Sequence, residues 1–331
     1  MLALVIRDGS KAVKDKAFEA LLAQLGTLSD VQQGAVMEVL KSKATAGDAI
    51  ALIEARFEAA PCCGHCRATE FWRWGRANGL KRYKCQSCNK TFNALTGTPL
   101  AQLHRRDAWL RYAQALVDRV SLRAAAKRAG IALETSFRWR HRFLEAAKDA
   151  KPLRVAGIVE ADETFILKSA KGSKTLVGRA PRKRGGKAKR PGLSTDEHDA
   201  ILIVRDRHGA TTDAILPDLE GRTFAAVLRP VVAKDALLVS DGRPAYGQFA
   251  DAAGILHISI NASKGEHAYG AYHIQNVNGY TSRFKGWLRP FNGVASKYLP
   301  SYLGWHRMKE RDGERLTKQR CIYAAYECDS T

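Results

Sequence analysis

Four cysteines stand in two pairs, Cys63-Gly-His-Cys66 and Cys85-Gln-Ser-Cys88, with eighteen residues between the pairs. Each CxxC turn aims two thiolates at one point, and two such knuckles enclose a tetrahedral metal with no open position. Soft thiolates in a closed shell suit a structural Zn²⁺ rather than a catalytic ion. A redox CxxC is the competing reading, but a ribbon spacing repeated twice argues against it. Cys62 offers a second register beside Cys63, although Cys63 keeps the regular two-residue spacing. His65 reads as a knuckle residue, and Cys321 and Cys328 as plain ones.

Carboxylates carry a second chemistry. Asp162 lies in GIVEADETFI, a strand on which Glu160, Asp162 and Thr164 share one face and Glu163 points away. Asp241 ends LLVSDG, where Gly242 lets the chain turn. Two acids at neighbouring strand positions can hold a hard divalent cation through oxygen. Two such cations can activate an attacking oxygen and stabilise the leaving one in phosphodiester chemistry. Taken singly, a strand-terminal Asp is usually a turn former. In HIQNVNGYTSRFKGWLRPF, Asn278 and Lys285 stand seven residues apart and so share a helix face. An amide oxygen completes a magnesium shell, and an ammonium two turns on holds a phosphate. The alternative is that both face solvent without a role.

The elements that must position these residues follow from periodicity and composition. The chain has 331 residues, 45% of them apolar, enough for two or three domains with packed cores. Phe18, Leu21, Leu22 and Leu25 recur at helical spacing, and Ser29 with Gln32 forms a capping-box signature for a second helix. Residues 61–93 are short and strand-like, and their Trp72, Trp74, Arg73, Arg76, Lys81, Arg82, Tyr83 and Lys84 interleave aromatic and basic groups. That face suits nucleic acid or burial against a neighbour equally well. SLRAAAKRAGIALETSFRWRHRFLEAA parses as two helices about Gly130-Ile131-Ala132, the second beginning near Glu134 or Thr135 and carrying Arg138, Arg140 and Arg142. A basic second helix after a glycine turn suits a helix-turn-helix that binds DNA. From about residue 154 the texture is β-branched strands, with helical spacing near 222–229 and 274–289, a mixed α/β pattern.

Charge points to a polyanion. Lys and Arg number 54 against 33 Asp and Glu, a formal balance of +21. Ten basic residues and no acidic one fall between Lys168 and Arg190 (168, 171, 174, 179, 182, 183, 184, 187, 189 and 190). This Gly-rich segment reads as a basic loop between strands, with Arg182, Lys183, Arg184, Lys187, Lys189 and Arg190 as DNA contacts. A solvated insertion is the alternative. No apolar run is long enough to span a membrane. No export signature opens the chain.

Taken together, VEADETFI, LLVSDG and above all HIQNVNGYTSRFKGWLRPFNGVASKYLPSYLGW resemble bacterial insertion-sequence transposases of the DDE superfamily, in the branch with an N-terminal zinc ribbon. The resemblance covers roughly residues 60–307. It implies an RNase H-like catalytic fold with Asp162 and Asp241 as the two acidic ligands. It puts Asn278 where a third ligand, usually Glu, comes from a helix, and it matches Lys285 seven residues on. Glu160 and Glu266 are candidates to supplement the neutral amide.

The expected organisation is multi-domain α/β: N-terminal helices over 1–57, a zinc ribbon over 58–95, a helix-turn-helix over 100–150, an RNase H-like domain over 154–310 and a tail over 311–331. The resemblance implies metal-dependent cleavage of transposon ends and strand transfer with Mg²⁺ or Mn²⁺. It also implies double-stranded DNA as partner, a homodimer to hold two ends, and a cytoplasmic, nucleoid-associated protein without a membrane segment. A non-catalytic zinc-ribbon regulator derived from such an enzyme, or a plain RNase H-type nuclease, are the other readings.

Overall fold

A computed structural model describes residues 15–29, 32–33, 36, 49–176, 195–261, 265 and 268–326. Helix α1 (Asp15–Leu25) is followed by a formed capping box, in which the Ser29 N–H donates to Gln32 Oε1 at 3.0 Å and the Gln32 N–H to Ser29 Oγ at 3.4 Å. Residues 49–59 form a helix, α2, that buries Ala49, Ile53 and Phe57 at fourfold spacing. These pack on a three-stranded antiparallel sheet of β1 (Phe71–Ala77), β2 (Leu80–Cys85) and β3 (Thr91–Asn93). Its β1–β2 turn is Asn78-Gly79, with φ of 53° and 77°, the left-handed pair that a two-residue hairpin demands. Phe57 joins Phe71, Tyr83 and Phe92 in one aromatic cluster, so α2 completes the core that the small ribbon lacks.

Three helices follow: α3 (Trp109–Val117), α4 (Leu122–Ala129) and α5 (Leu133–Leu144). Ser121 Oγ caps α4 by accepting the Ala124 N–H, and Gly130 ends the helix at φ +65°. The second helix thus begins at Leu133, slightly earlier than the sequence suggests. Trp109, Tyr112, Trp139 and Phe143 fill the space between the helices.

The larger unit is a mixed five-stranded sheet in the order β6-β5-β4-β7-β8. Strands β4 (Ile158–Leu167), β5 (His198–Asp206) and β6 (Thr211–Leu216) form an antiparallel meander. Strands β7 (Leu237–Ser240) and β8 (Leu256–Ser259) run parallel to β4. Helix α6 (Gly221–Leu228) and α7 (Pro244–Ala253) cover one face, where Ala200, Leu202 and Val204 meet Phe224 and Phe249. Helix α8 (Gln275–Leu288) covers the other, where Ile201 and Ile203 join a core with Val277, Tyr280 and Phe284. Burial on both faces explains why β5 reads as an unbroken apolar run.

The chain then returns to its front half. Helix α9 (Leu299–Asp312) packs against β6 and against residues 146–148. Gly304 lies so close to the Ala147 carbonyl that any side chain there would collide with it. The segment expected as a tail instead forms α10 (Lys318–Tyr326), which buries Cys321, Ile322 and Ala325 against α3 and α5. Of the basic segment, residues 168–176 are described, and Lys171 donates to the carbonyls of Asn292 and Gly293 at 3.1 Å. Arg182, Lys183, Arg184, Lys187, Lys189 and Arg190 lie outside the described residues, as do Glu266 and Cys328.

Candidate metal centres and nucleic-acid surface

The cysteine cluster closes as its spacing requires. The Cys63, Cys66, Cys85 and Cys88 sulfurs all lie within 4.8 Å of one another. Cys63 and Cys88 are 3.7 Å apart, and Cys66 and Cys85 3.5 Å. Four thiolates at tetrahedral Zn–S distance sit about 3.8 Å apart, so the set fits a metal of that size. Backbone N–H groups donate to the sulfurs, His65 to Cys63 and Cys88 to Cys85. The Cys88 and Ser87 N–H groups draw the Cys85 thiol down to about 6, toward the thiolate that ligation needs. Cys62 stays outside the cluster beside Arg67, and His65 turns its ring to the Thr91 carbonyl.

The acidic site arises where β7 stops. Ser240 pairs with Ala161, so Asp162 and Glu163 extend past the last β4–β7 pair. Asp241 follows directly, and its Oδ1 accepts the Arg243 N–H at 3.0 Å, turning the chain into α7. Carboxylate oxygens of Asp162, Glu163 and Asp241 all lie within 4.8 Å of one another. Strand alternation sends Asp162 and Glu163 to opposite faces, but with no β7 residue beside them both side chains reach the open sheet end. Glu163, expected to point away, is therefore part of the cluster.

Burial pushes the Asp162 carboxyl up to about 7, helped by the charges of Glu163 and Asp241 and opposed by Lys285. The Lys285 ammonium thus acts on Asp162 from α8. Asn278 and Lys285 are both exposed on that helix, while Val277, Tyr280, Thr281, Phe284 and Trp287 are buried. Crowded oxygen donors that resist ionising together are the donor set a hard divalent cation favours.

Glu160 has a different task. Fully buried, it accepts the Asn276 and Val277 N–H groups at 2.8 and 3.0 Å and the Asn276 side-chain amide at 2.9 Å. Arg207 Nε lies 2.9 Å away, and His273 3.5 Å. Ile274 at the N-cap of α8 has no side-chain acceptor, so Glu160 satisfies two amides of the first turn from across the sheet. Its carboxylate is committed to the helix rather than to a cation.

The α5 arginines divide sharply. Arg138 is exposed. Arg140, expected at DNA, is fully buried: Nη2 donates to the Val120 carbonyl, and its guanidinium lies over Phe291 and Trp305. Position 140 falls on the inner stripe of α5 with Trp139 and Phe143, which removes it from any groove. Arg142 is half-buried and donates to the carbonyls of Pro99 and Ala101, tying α5 to the segment that follows the ribbon. On β1, Trp72 and Trp74 remain half exposed, and the Lys84 ammonium lies 4.9 Å from the Trp74 ring centroid.

Among known proteins, residues 154–307 match the ISXO2-like transposase domain family. An uncharacterised protein of the transposable element ISH50 from Halobacterium salinarum is 24% identical over 257 residues, covering 76% of this chain and 86% of that protein. Over residues 154–307, just under half of its length, the chain is similar to insertion-sequence transposases. The matched stretch runs from just before β4 into α9 and so includes Asp162, Asp241, Asn278 and Lys285. Solved structures are more distant. A chain of the simian T-cell lymphotropic virus intasome bound to PP2A regulatory subunit B56 gamma shares 9% identity at a TM-score of 0.28, over 59% of this chain and 66% of that one, just under two thirds of its length. A pre-cleavage Mos1 transpososome shares 14% identity at 0.22, over 66% and 79%. Superpositions this loose locate no residue. Among the described residues no helix is long and apolar enough to cross a membrane.

Sequence patterns did not single out Arg243 or Tyr246. Neither carries a spacing signal, since each acts by lying beside a carboxylate from a distant strand. Arg243 in SDGRP, two residues past Asp241, was the only cue in the chain.

Proposed function

We propose that this protein is a transposase that cleaves transposon ends and joins them to target DNA with a divalent cation, Mg²⁺ or Mn²⁺, held by Asp162 and Asp241. The observation that carries this reading is the convergence of those carboxylates at the end of β7, inside the family-matched domain. The antiparallel β4–β6 meander with β7 and β8 parallel to it supports an RNase H-like description of the unit. When bound, such a cation lowers the pKa of an attacking hydroxyl and steadies the leaving oxygen of a phosphodiester. Asp162 and Asp241 supply the anionic oxygens, and the Asn278 amide can add a neutral one. Lys285 neutralises the DNA phosphate beside Asp162 and fixes its approach.

The front half delivers DNA. Zn²⁺ on the four cysteines rigidifies the ribbon, whose exposed Trp72, Trp74 and Lys84 offer stacking and phosphate contacts. Arg138 on α5 reads or positions the duplex, with Arg182, Lys183, Arg184, Lys187, Lys189 and Arg190 adding backbone charge. Two copies would hold two ends.

A duplex bearing the element's end sequence tests this. Wild-type protein nicks it only with Mg²⁺ or Mn²⁺, and Asp241→Asn binds it with unchanged affinity but lowers nicking by about a thousandfold or more. Binding without nicking by the wild type would make it a DNA-binding regulator instead.

A further inference from the structure

Glu163 has no part in the reading above, yet its environment is unusual. Its side chain is 2% exposed. Oε2 accepts from Arg243 Nε at 3.0 Å, while Oε1 is buried with no hydrogen-bond partner among the described residues. Tyr246, fully buried next to it, holds its hydroxyl within reach of the Glu163 carboxylate but off the line of a well-directed hydrogen bond. A buried carboxylate oxygen without a well-directed donor is costly, and native proteins rarely keep one without a use. Had Glu163 served only to pair with Arg243, a two-pronged contact using both oxygens was open to the guanidinium fork. Instead only Oε2 meets the guanidinium, and a carboxylate oxygen of Glu163 stands within 4.8 Å of oxygens of Asp162 and Asp241.

Charge leads the same way. The three carboxylates carry three negative charges if ionised, and Arg243 and Lys285 return two. One negative charge remains, so a divalent cation more than offsets it and relieves the repulsion among oxygens within 4.8 Å.

We propose that Glu163 is a ligand of the divalent cation held by Asp162 and Asp241, oriented by its ion pair with Arg243, so that the site has three carboxylates, two of them adjacent on β4. The inference rests on the reading that Asp162 and Asp241 bind that cation. It assigns the anionic third ligand to the strand and leaves the α8 amide a neutral, supplementary donor.

Mn²⁺ titration of the zinc-loaded full chain, by calorimetry and by the Mn²⁺ spin-resonance signal, separates the possibilities. Glu163→Gln keeps an oxygen for Arg243 and removes one ligand charge, so Mn²⁺ affinity falls by about tenfold or more while circular dichroism stays native. Asp162→Asn with Asp241→Asn abolishes binding. Should the glutamine variant not fold, Glu163→Asp, which keeps the charge but shortens the reach, weakens Mn²⁺ by about fivefold or more. If the double variant loses Mn²⁺ but the Glu163 variants bind within about threefold of wild type, Glu163 is no ligand and the reading of Asp162 and Asp241 stands. If the double variant binds Mn²⁺ as the wild type does, both fall.

Discussion

Burial, together with the charges of two neighbouring carboxylates, pushes the Asp162 carboxyl up to about 7. Between roughly pH 4 and 7 the folded protein therefore keeps a proton that the unfolded chain has lost. Metal-free stability falls as pH rises through that window, and a bound cation restores it. Below about pH 7 a cation must also displace that proton, so Mn²⁺ affinity is expected to drop up to about tenfold per unit as pH falls from 7 and to level off above it. Calorimetry from pH 5.5 to 8.5 checks this, and an affinity independent of pH would contradict the assignment. Asp162 and Asp241 were picked out in two short motifs, and the fold brings their carboxylates together. The place of Glu163 was not, because alternation along a strand says which face a residue leaves from and not that the neighbouring strand has ended.

At the level of elements, the site depends on how α8 is seated. Glu160 takes the first-turn amides of that helix two residues before Asp162 on the same strand, so one strand both holds the acidic cluster and anchors the helix bearing Asn278 and Lys285. Glu160→Gln exchanges an ionic acceptor for a neutral one and leaves Arg207 without its buried partner. A loss of about 3 kcal/mol is expected in denaturant unfolding, with faster hydrogen exchange in the first turn of α8. A loss under about 1 kcal/mol would show that packing alone seats the helix. Sequence periodicity found β4 to β7, α6 and α8 because their apolar patterns are long or bounded by turn residues. It missed β8, four residues at the sheet edge, and α7, whose glycine and alanines give a faint pattern. A basic helix was legible in α5, but only the structure separates Arg138 from the inward-facing Arg140.

Across the whole molecule, the return of α9 and α10 makes the front half and the sheet one packed body. Arg307 is the hub: buried, it pairs with Asp213 of β6 and donates to the carbonyls of Ala147 and Lys148. Arg307→Ala leaves Asp213 buried without that partner, at a cost of about 3–5 kcal/mol. One thermal transition is expected of the wild type and two of the variant, and an unsplit, unshifted melt of the variant would show that the halves are joined elsewhere. This union was invisible in sequence, where residues 311–331 lack any motif and the helix closing the front core comes last in the chain.

The claim that joins these scales is that the carboxylates at the end of β7 perform metal-dependent chemistry on DNA. Single-turnover nicking of a duplex carrying the element's end, with the cut strand mapped, tests it most directly. The account predicts cleavage at the element boundary leaving a 3′-hydroxyl, dependent on Mg²⁺ or Mn²⁺ and absent in Asp162→Asn and Asp241→Asn. Cleavage that survives in those variants, or a wild type that binds the end and never cuts it, would contradict the account.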